Sequence, residues 1–437
     1  MMDPQDPALT VDPAPTHGDG ATVALDVEAR PEQIPLPASV HAILDEIDPH
    51  LEGIDRVRWL AERVDALPQE DRDVIRDAHR VLVRKMVELD ASDLDFGGPA
   101  CNGQAWYRVD GFKRPYPEMG ARALGETDLH LLGILSPTQT ERLLDRFSVD
   151  LGYTLYTDDG EPGRRFRVTV YVDNGHLAVC QRMLAWKPRS LRSLGFHPII
   201  ERGFMFRHVR DGVTLFTGVT GSGKSTSLDA IIDANNEDSE GHILIVASPI
   251  EFMHTSKKSI VRHREVGTDV GSFVDGMVQG LRQDPDIVVV GEMRDPETIS
   301  AAMEMADTGH KVFSTLHTGS AIETIERIVA EYPPVEQERV RHRLGDVLRC
   351  VVSQKLLPAI GGGRVLAKEV LWVSSPARAA IKNGNTNEIY QMIWQGADEG
   401  MHTLEQDLAR LVQIGDITME TGLDFANNKR RFLSLVR

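Results

Sequence analysis

The chain has 437 residues, 41% of them hydrophobic and 26% charged, enough for about three domains with sizeable cores. Its 66 acidic residues outweigh 48 basic ones, for a formal net charge of −18, which argues against nucleic acid or anionic lipid as a bulk partner. Three scattered cysteines, Cys101, Cys180 and Cys350, exclude a disulfide framework and a Cys-x-x-Cys zinc site, and an acidic N-terminus with no apolar run of about 18 residues argues against export and membrane spanning.

Residues 1–38 hold seven prolines, seven acids and a single basic residue, Arg30, and read as a disordered acidic tail. Residues 39–89 carry helical spacing in Val40, Ile43, Leu44 and Ile47, in Val57, Leu60 and Val64, and in Val74, His79, Leu82, Val83 and Met86. Pro49 and Pro68 break the pattern into two or three helices, either a small bundle or an arm packed on the next domain. Residues 90–185 look mixed α+β. A strand is expected over Ala105–Val109, and a helix capped by Ser136 over Pro137–Phe147, with Thr140, Leu143, Leu144 and Phe147 on one face. A further strand is expected over Phe166–Val172.

Residues 186–207, basic and proline-containing, read as an interdomain linker. From 208 to 370 apolar strand runs at Val213–Thr217, Ile243–Val246, Ile287–Val290 and Val312–Thr315 alternate with helical patterns. That alternation predicts an α/β domain with a parallel, doubly wound sheet. Residues 371–437 look helical.

Between the first of those strands and its helix runs Gly218-Val219-Thr220-Gly221-Ser222-Gly223-Lys224-Ser225, followed by Thr226. This is a P-loop in its proper strand–loop–helix setting. Glycines let the backbone curl so that N–H groups face phosphate oxygens, and the helix N-terminus adds positive potential. Lys224 suits the β- and γ-phosphates of ATP, and the Ser225 hydroxyl suits Mg²⁺. A P-loop also needs an acid at the end of a neighbouring strand. Ile287-Val288-Val289-Val290-Gly291-Glu292 supplies it, with Glu292 as general base or water positioner. His310 and His317 bracket the next strand, and His317, at its far end, is the candidate γ-phosphate sensor.

Taken together, Gly218–Thr226, Pro249-Ile250-Glu251-Phe252, Arg264-Glu265-Val266-Gly267, Leu281 to Asp286, Gly291-Glu292-Met293-Arg294-Asp295, Thr308-Gly309-His310 and Ser314 to Thr318 resemble the secretion ATPase superfamily, and within it the PilT-type retraction ATPases of type IV pili. The likeness covers roughly residues 85–437, including stretches similar to the family's PAS-like domain (Ala91 to Leu94, Arg108 to Gly111, Arg165 to Val168). It implies a RecA-like core and a cytoplasmic homo-hexamer, peripheral at the inner membrane. That ring would hydrolyse ATP with Mg²⁺ for pilus retraction, twitching motility or related secretion, and engage an inner-membrane platform protein. It also implies roles for Glu292 as the Walker B glutamate, for His317 in the His box, and for Arg165, Arg167 and Arg182 as arginine fingers.

Three departures stand out. The family's Glu-Asp-Pro-x-Glu box reads Ala247-Ser248-Pro249-Ile250-Glu251 here, leaving Glu251 as the acid that remains. The DotB- and TraJ-like ATPases of type IVB secretion and conjugation also lack that box's aspartate. The family's Ala-Ser-Asp-x-His motif ends in Asp95, and its C-terminal Ala-Ile-Arg-type motif is imperfect at Ala377 to Ile381. A nucleotide-binding assembly subunit with weak turnover is therefore the competing expectation.

Overall fold

A computed structural model describes residues 34–436, except Pro49, Asp110, Asp158, Gly160, Glu161, Ala185 and Trp186. The acidic tail thus lies outside the described residues up to position 33. Two of its last residues are packed: Leu36 is buried, Ile34 packs on the core, and Arg122 Nη2 donates to the Ile34 carbonyl at 2.6 Å.

Three helices follow, α1 (Ala38–Asp45), α2 (Gly53–Asp65) and α3 (Gln69–Glu88). On α3 the buried stripe is Ile75, Ala78, His79, Leu82, Val83 and Met86, so Ile75 takes the place expected for Val74. These helices share one continuous core with a six-stranded antiparallel sheet. Its strands are β1 (Asp93–Gly97), β2 (Trp106–Val109), β3 (Phe112–Pro115), β4 (Ser148–Tyr156), β5 (Pro162–Asp173) and β6 (His176–Met183), in the order β3-β2-β1-β6-β5-β4. Helices α4 (Leu124–Gly133) and α5 (Pro137–Arg146) complete the layer.

The start of α5 follows from its sequence. The Ser136 side chain accepts from the Gln139 N–H, and the Gln139 side chain accepts from the Ser136 N–H, with Pro137 at the first helical position. Phe147 departs from expectation: it is the left-handed C-cap at φ 60° and is exposed. The docking of α2 is fixed by charge. Asp128 of α4 is fully buried and accepts from Arg56 at 2.5 Å, the Leu177 N–H at 2.6 Å and His176 at 2.8 Å. Burying a carboxylate is costly unless donors of this kind surround it.

The described part of 186–207, read above as a linker, carries α6 (Pro198–Phe204) and a buried face of Leu194, Phe196, Ile200 and Phe204. The second sheet comprises β7 (Gly212–Thr217), β8 (His242–Ala247), β9 (Ile260–Glu265), β10 (Ile287–Val290), β11 (Lys311–Leu316), β12 (Leu348–Pro358) and β13 (Arg364–Trp372), in the order β13-β12-β7-β11-β10-β8-β9. Every neighbouring pair is parallel except β12 with β13.

Helices α7 (Lys224–Asp238), α8 (Phe273–Gly280), α9 (Pro296–Asp307), α10 (Ala321–Ala330) and α11 (Pro334–Val347) connect these strands. β10 is buried at all four positions, which is why it reads as an unbroken apolar run. Beyond β13 come α12 (Ser375–Asn383), α13 (Thr386–Gln395), α14 (Leu404–Gln413), α15 (Met419–Phe425) and α16 (Lys429–Leu435). Among the described residues no helix is long and apolar enough to cross a membrane.

Lys311 ties α6 to this sheet. Its buried ammonium donates to the carbonyls of Gly203 at 2.8 Å and Val209 at 2.9 Å, and burial pulls its pKa down to about 7. In the unfolded chain the same group stays protonated up to about pH 10. Between those values the unfolded state binds the extra proton, so stability rises with pH there and falls as pH drops toward 7. Lys311→Met is expected to flatten that slope in urea melts taken from pH 7 to 9.

Candidate functional site

The loops that follow β7, β8, β10 and β11 gather at the carboxyl edge of the parallel sheet, where open α/β sheets bind ligands. The loop after β7 turns through Gly218 (φ 142°), Gly221 (φ 80°) and Gly223 (φ 91°). A Cβ on Gly218 would lie 2.4 Å from the Gln354 carbonyl oxygen and 2.5 Å from Ser222 Oγ, so no larger residue fits. The 15-residue α7 begins at Lys224 and points its N-terminus at the loop. Thr220, Gly221 and Thr226 lie exposed on its rim, and Ser222 Oγ is buried without a hydrogen-bond partner among the described residues. Two contacts absent from the sequence reading brace the loop on β12: Thr217 Oγ1 to Ser353 Oγ at 2.6 Å and Gln354 to Ser227 Oγ at 2.7 Å.

Lys224 is folded over its own loop, donating to the carbonyls of Gly218 at 2.8 Å and Val219 at 3.2 Å. Burial lowers its pKa, and the nearby carboxylates Glu292 and Glu251 oppose that shift. Glu251 is held above the usual carboxylate range by burial, with Asp229 adding to it. A hydrogen bond with Ser225 and the charges of Arg167 and Lys224 pull it back. Glu292, set just past β10 by Gly291, pairs with Arg294 at 2.7 Å and has His317 Nε2 at 3.9 Å. His317 is lowered by burial and then by Lys224, against the pull of Glu292, which favours a neutral ring. His310 lies at the opposite end of β11, bonded to the Met305 carbonyl at 3.0 Å, away from this cluster.

The three arginines separate. Arg167 and Arg182 are cross-strand partners on β5 and β6. Arg167 is exposed and coupled to Glu251. Arg182 pairs with Asp93 at 2.9 Å. Arg165 is engaged elsewhere, with Glu265 at 2.6 Å. The acid-poor box after β8 contains a cis Ser248–Pro249 peptide, and Ser248 is exposed.

Residues 188–362 match the family described as type II/IV secretion system protein. The chain is similar to the type IV pilus retraction ATPase PilT of Pseudomonas aeruginosa, 41% identical over 61% of this chain and 77% of the relative. Among solved structures it resembles the pilus retraction motor PilT with bound ADP, at TM-score 0.71 and 35% identity, covering 80% of this chain and 97% of that one. It also resembles the Legionella pneumophila ATPase DotB, at TM-score 0.68 and 28% identity, covering 78% and 93%.

Lys224→Ala removes a charge-assisted contact to phosphate and is expected to weaken binding of a fluorescent ATP analogue by roughly 10- to 100-fold. Unchanged affinity in a fluorescence titration would take this lysine out of the site.

Proposed function

The chain belongs to the PilT-type branch of the type II/IV secretion ATPases, and from that premise we propose that it is an ATP-hydrolysing motor that drives type IV pilus retraction. The observation that carries the reading is Lys224, buried at the head of α7 with Glu251 and Glu292 facing it across the carboxyl edge of the sheet.

The chemistry follows from that placement. Backbone N–H groups of residues 218–224 and the α7 N-terminus receive the phosphates of ATP. Lys224 exchanges its two carbonyl partners for phosphate oxygens. Hard oxygen donors suit Mg²⁺, and the hydrogen-bonded pair of Ser225 hydroxyl and Glu251 carboxylate offers them beside the loop. A Mg²⁺ held by those two groups would supply positive charge to offset that of the triphosphate. Glu292, released from Arg294, orients a water in line with the γ-phosphorus. The new P–O bond forms as the bond to the β,γ-bridging oxygen breaks, leaving ADP and phosphate. His317 stands beside Glu292 to register the γ-phosphate, and Arg167 approaches from the N-terminal sheet as the arginine finger.

The same reading takes the N-terminal sheet as the family's PAS-like domain, and the active form as a homo-hexamer on the cytoplasmic side of the inner membrane, docked on a platform protein. The net charge of −18 sets it apart from ring motors that grip nucleic acid. A second reading, DotB-like secretion work, is favoured by Ala247 and Ser248, which remove two acids from the box after β8. Pili that assemble but do not retract in a deletion strain support the first reading. Normal twitching with a blocked secreted substrate supports the second.

Turnover of purified protein with ATP and Mg²⁺ tests the enzyme directly. Glu292→Gln is expected to cut phosphate release by about 10²-fold or more while nucleotide binding persists; an unchanged rate would overturn the role given to Glu292.

A further inference from the structure

Glu265 ends β9, and the sequence motif around it has no part in the chemistry above. The residue is 7% exposed, and its carboxylate gathers donors from both halves of the molecule. Oε1 accepts from the Gly152 N–H of β4 at 3.1 Å. Oε2 accepts from Arg165 Nη2 of β5 at 2.6 Å and from the Ile250 N–H at 3.2 Å. Arg165 completes the circuit: its Nε donates to the Ile250 carbonyl at 2.5 Å and its Nη1 to Thr154 Oγ1 at 2.9 Å. The buried Ile250 is therefore gripped at its N–H from one side and at its C=O from the other, and the next residue is Glu251.

Two glycines show that the joint is built for close approach. A Cβ on Gly152 would fall 2.2 Å from Arg165 Nη2 and 2.8 Å from Glu265 Oε2. A Cβ on Gly267, at φ 99°, would fall 1.6 Å from Arg142 Nη1 of α5. One glycine belongs to each half, and each leaves room for a side chain that meets the other half.

We propose that Glu265 and Arg165 form an interdomain latch that sets the position of Glu251 according to how the N-terminal sheet sits on the ATPase core. Glu265 is then a positioning residue, and Arg165 is a strut rather than an arginine that reaches phosphate. A rotation of the sheet that withdraws β4 and β5 removes Arg165 and the Gly152 N–H together. The Ile250 carbonyl then loses its partner, and the loop that carries Glu251 is freed. The inference rests on the ATPase reading for its consequence, but the latch itself is a structural claim.

Two measurements on the full chain keep these apart. The first is hydrogen exchange at the Ile250 and Gly152 amides. Glu265→Gln, Arg165→Gln and the doubly neutral R165Q/E265Q variant, which leaves no buried charge unpaired, should each exchange about 10-fold faster or more there, with the amides of α7 unchanged. Wild-type protection in all three overturns the latch whether or not the protein hydrolyses ATP. The second is turnover. Each single variant should lose about 10-fold in kcat while KM and fluorescent ADP affinity stay within about twofold, and the double variant should be no worse than the poorer single. Multiplying losses, or an Arg165→Gln loss near 10³-fold that is independent of Glu265, would mark Arg165 as a phosphate-reaching finger and overturn the proposal. Loss of ADP affinity in step with kcat would reduce Glu265 to a structural role and overturn it too. Absence of turnover in the wild type would count against the ATPase reading alone.

Discussion

An ammonium group buried beside two carbonyls and facing two carboxylates is the constraint around which this molecule is arranged. Lys224 loses hydration in that position, and two neutral carbonyls are weak compensation for a cation. Glu251 and Glu292 oppose the downward shift that burial imposes on it. They are also the groups whose negative charge a triphosphate would confront. The cluster therefore stays balanced until a more strongly anionic partner enters. Glycine geometry at 218 and 223, the bracing of the loop by β12, and the unbroken apolar β10 that delivers Glu292 all serve to hold these charges in place.

The N-terminal half bears on that cluster through few residues. Its three leading helices and the antiparallel sheet share one core, with the Asp128 network fastening α2 to α4 and β6. Its contacts with the ATPase core near the site include those of Arg165, Gly152 and Arg142, all of which meet the segment from Ile250 to Gly267. Those contacts fall on one short stretch that includes the acid retained from the box.

The sequence made the candidate site at the carboxyl edge legible because that edge is built from local signals. A P-loop is one contiguous run, and a buried parallel strand followed by Gly-Glu announces its own acid. β9 escaped notice because Ile260-Val261-Arg262-His263-Arg264-Glu265 is an edge strand with charged residues along it, and its apolar content is too low for a period-two reading. The packed face of residues 187–207 was hidden among arginines for a similar reason. Arg165 and Arg167 are indistinguishable in sequence, two residues apart on one strand face. Their separation depends on Glu265, 100 residues downstream of Arg165, and no local pattern encodes a partner at that range.

The altered box after β8 makes sense in the same electrostatic terms. Three acids crowded beside one lysine repel one another, and burial raises the energy of each ionised form. With alanine and serine at 247 and 248, Glu251 is relieved of those neighbours, yet burial and Asp229 still hold its pKa up. The single remaining acid then depends more heavily on fixed donors for its placement: the Ser225 hydroxyl on one side and, through the Ile250 peptide, the Arg165–Glu265 pair on the other. In a box with several acids, a displaced carboxylate has a substitute close by. Here it has none within the box, so the placement of the one acid beside the P-loop rests on a single loop and on the contacts that hold that loop to the N-terminal sheet.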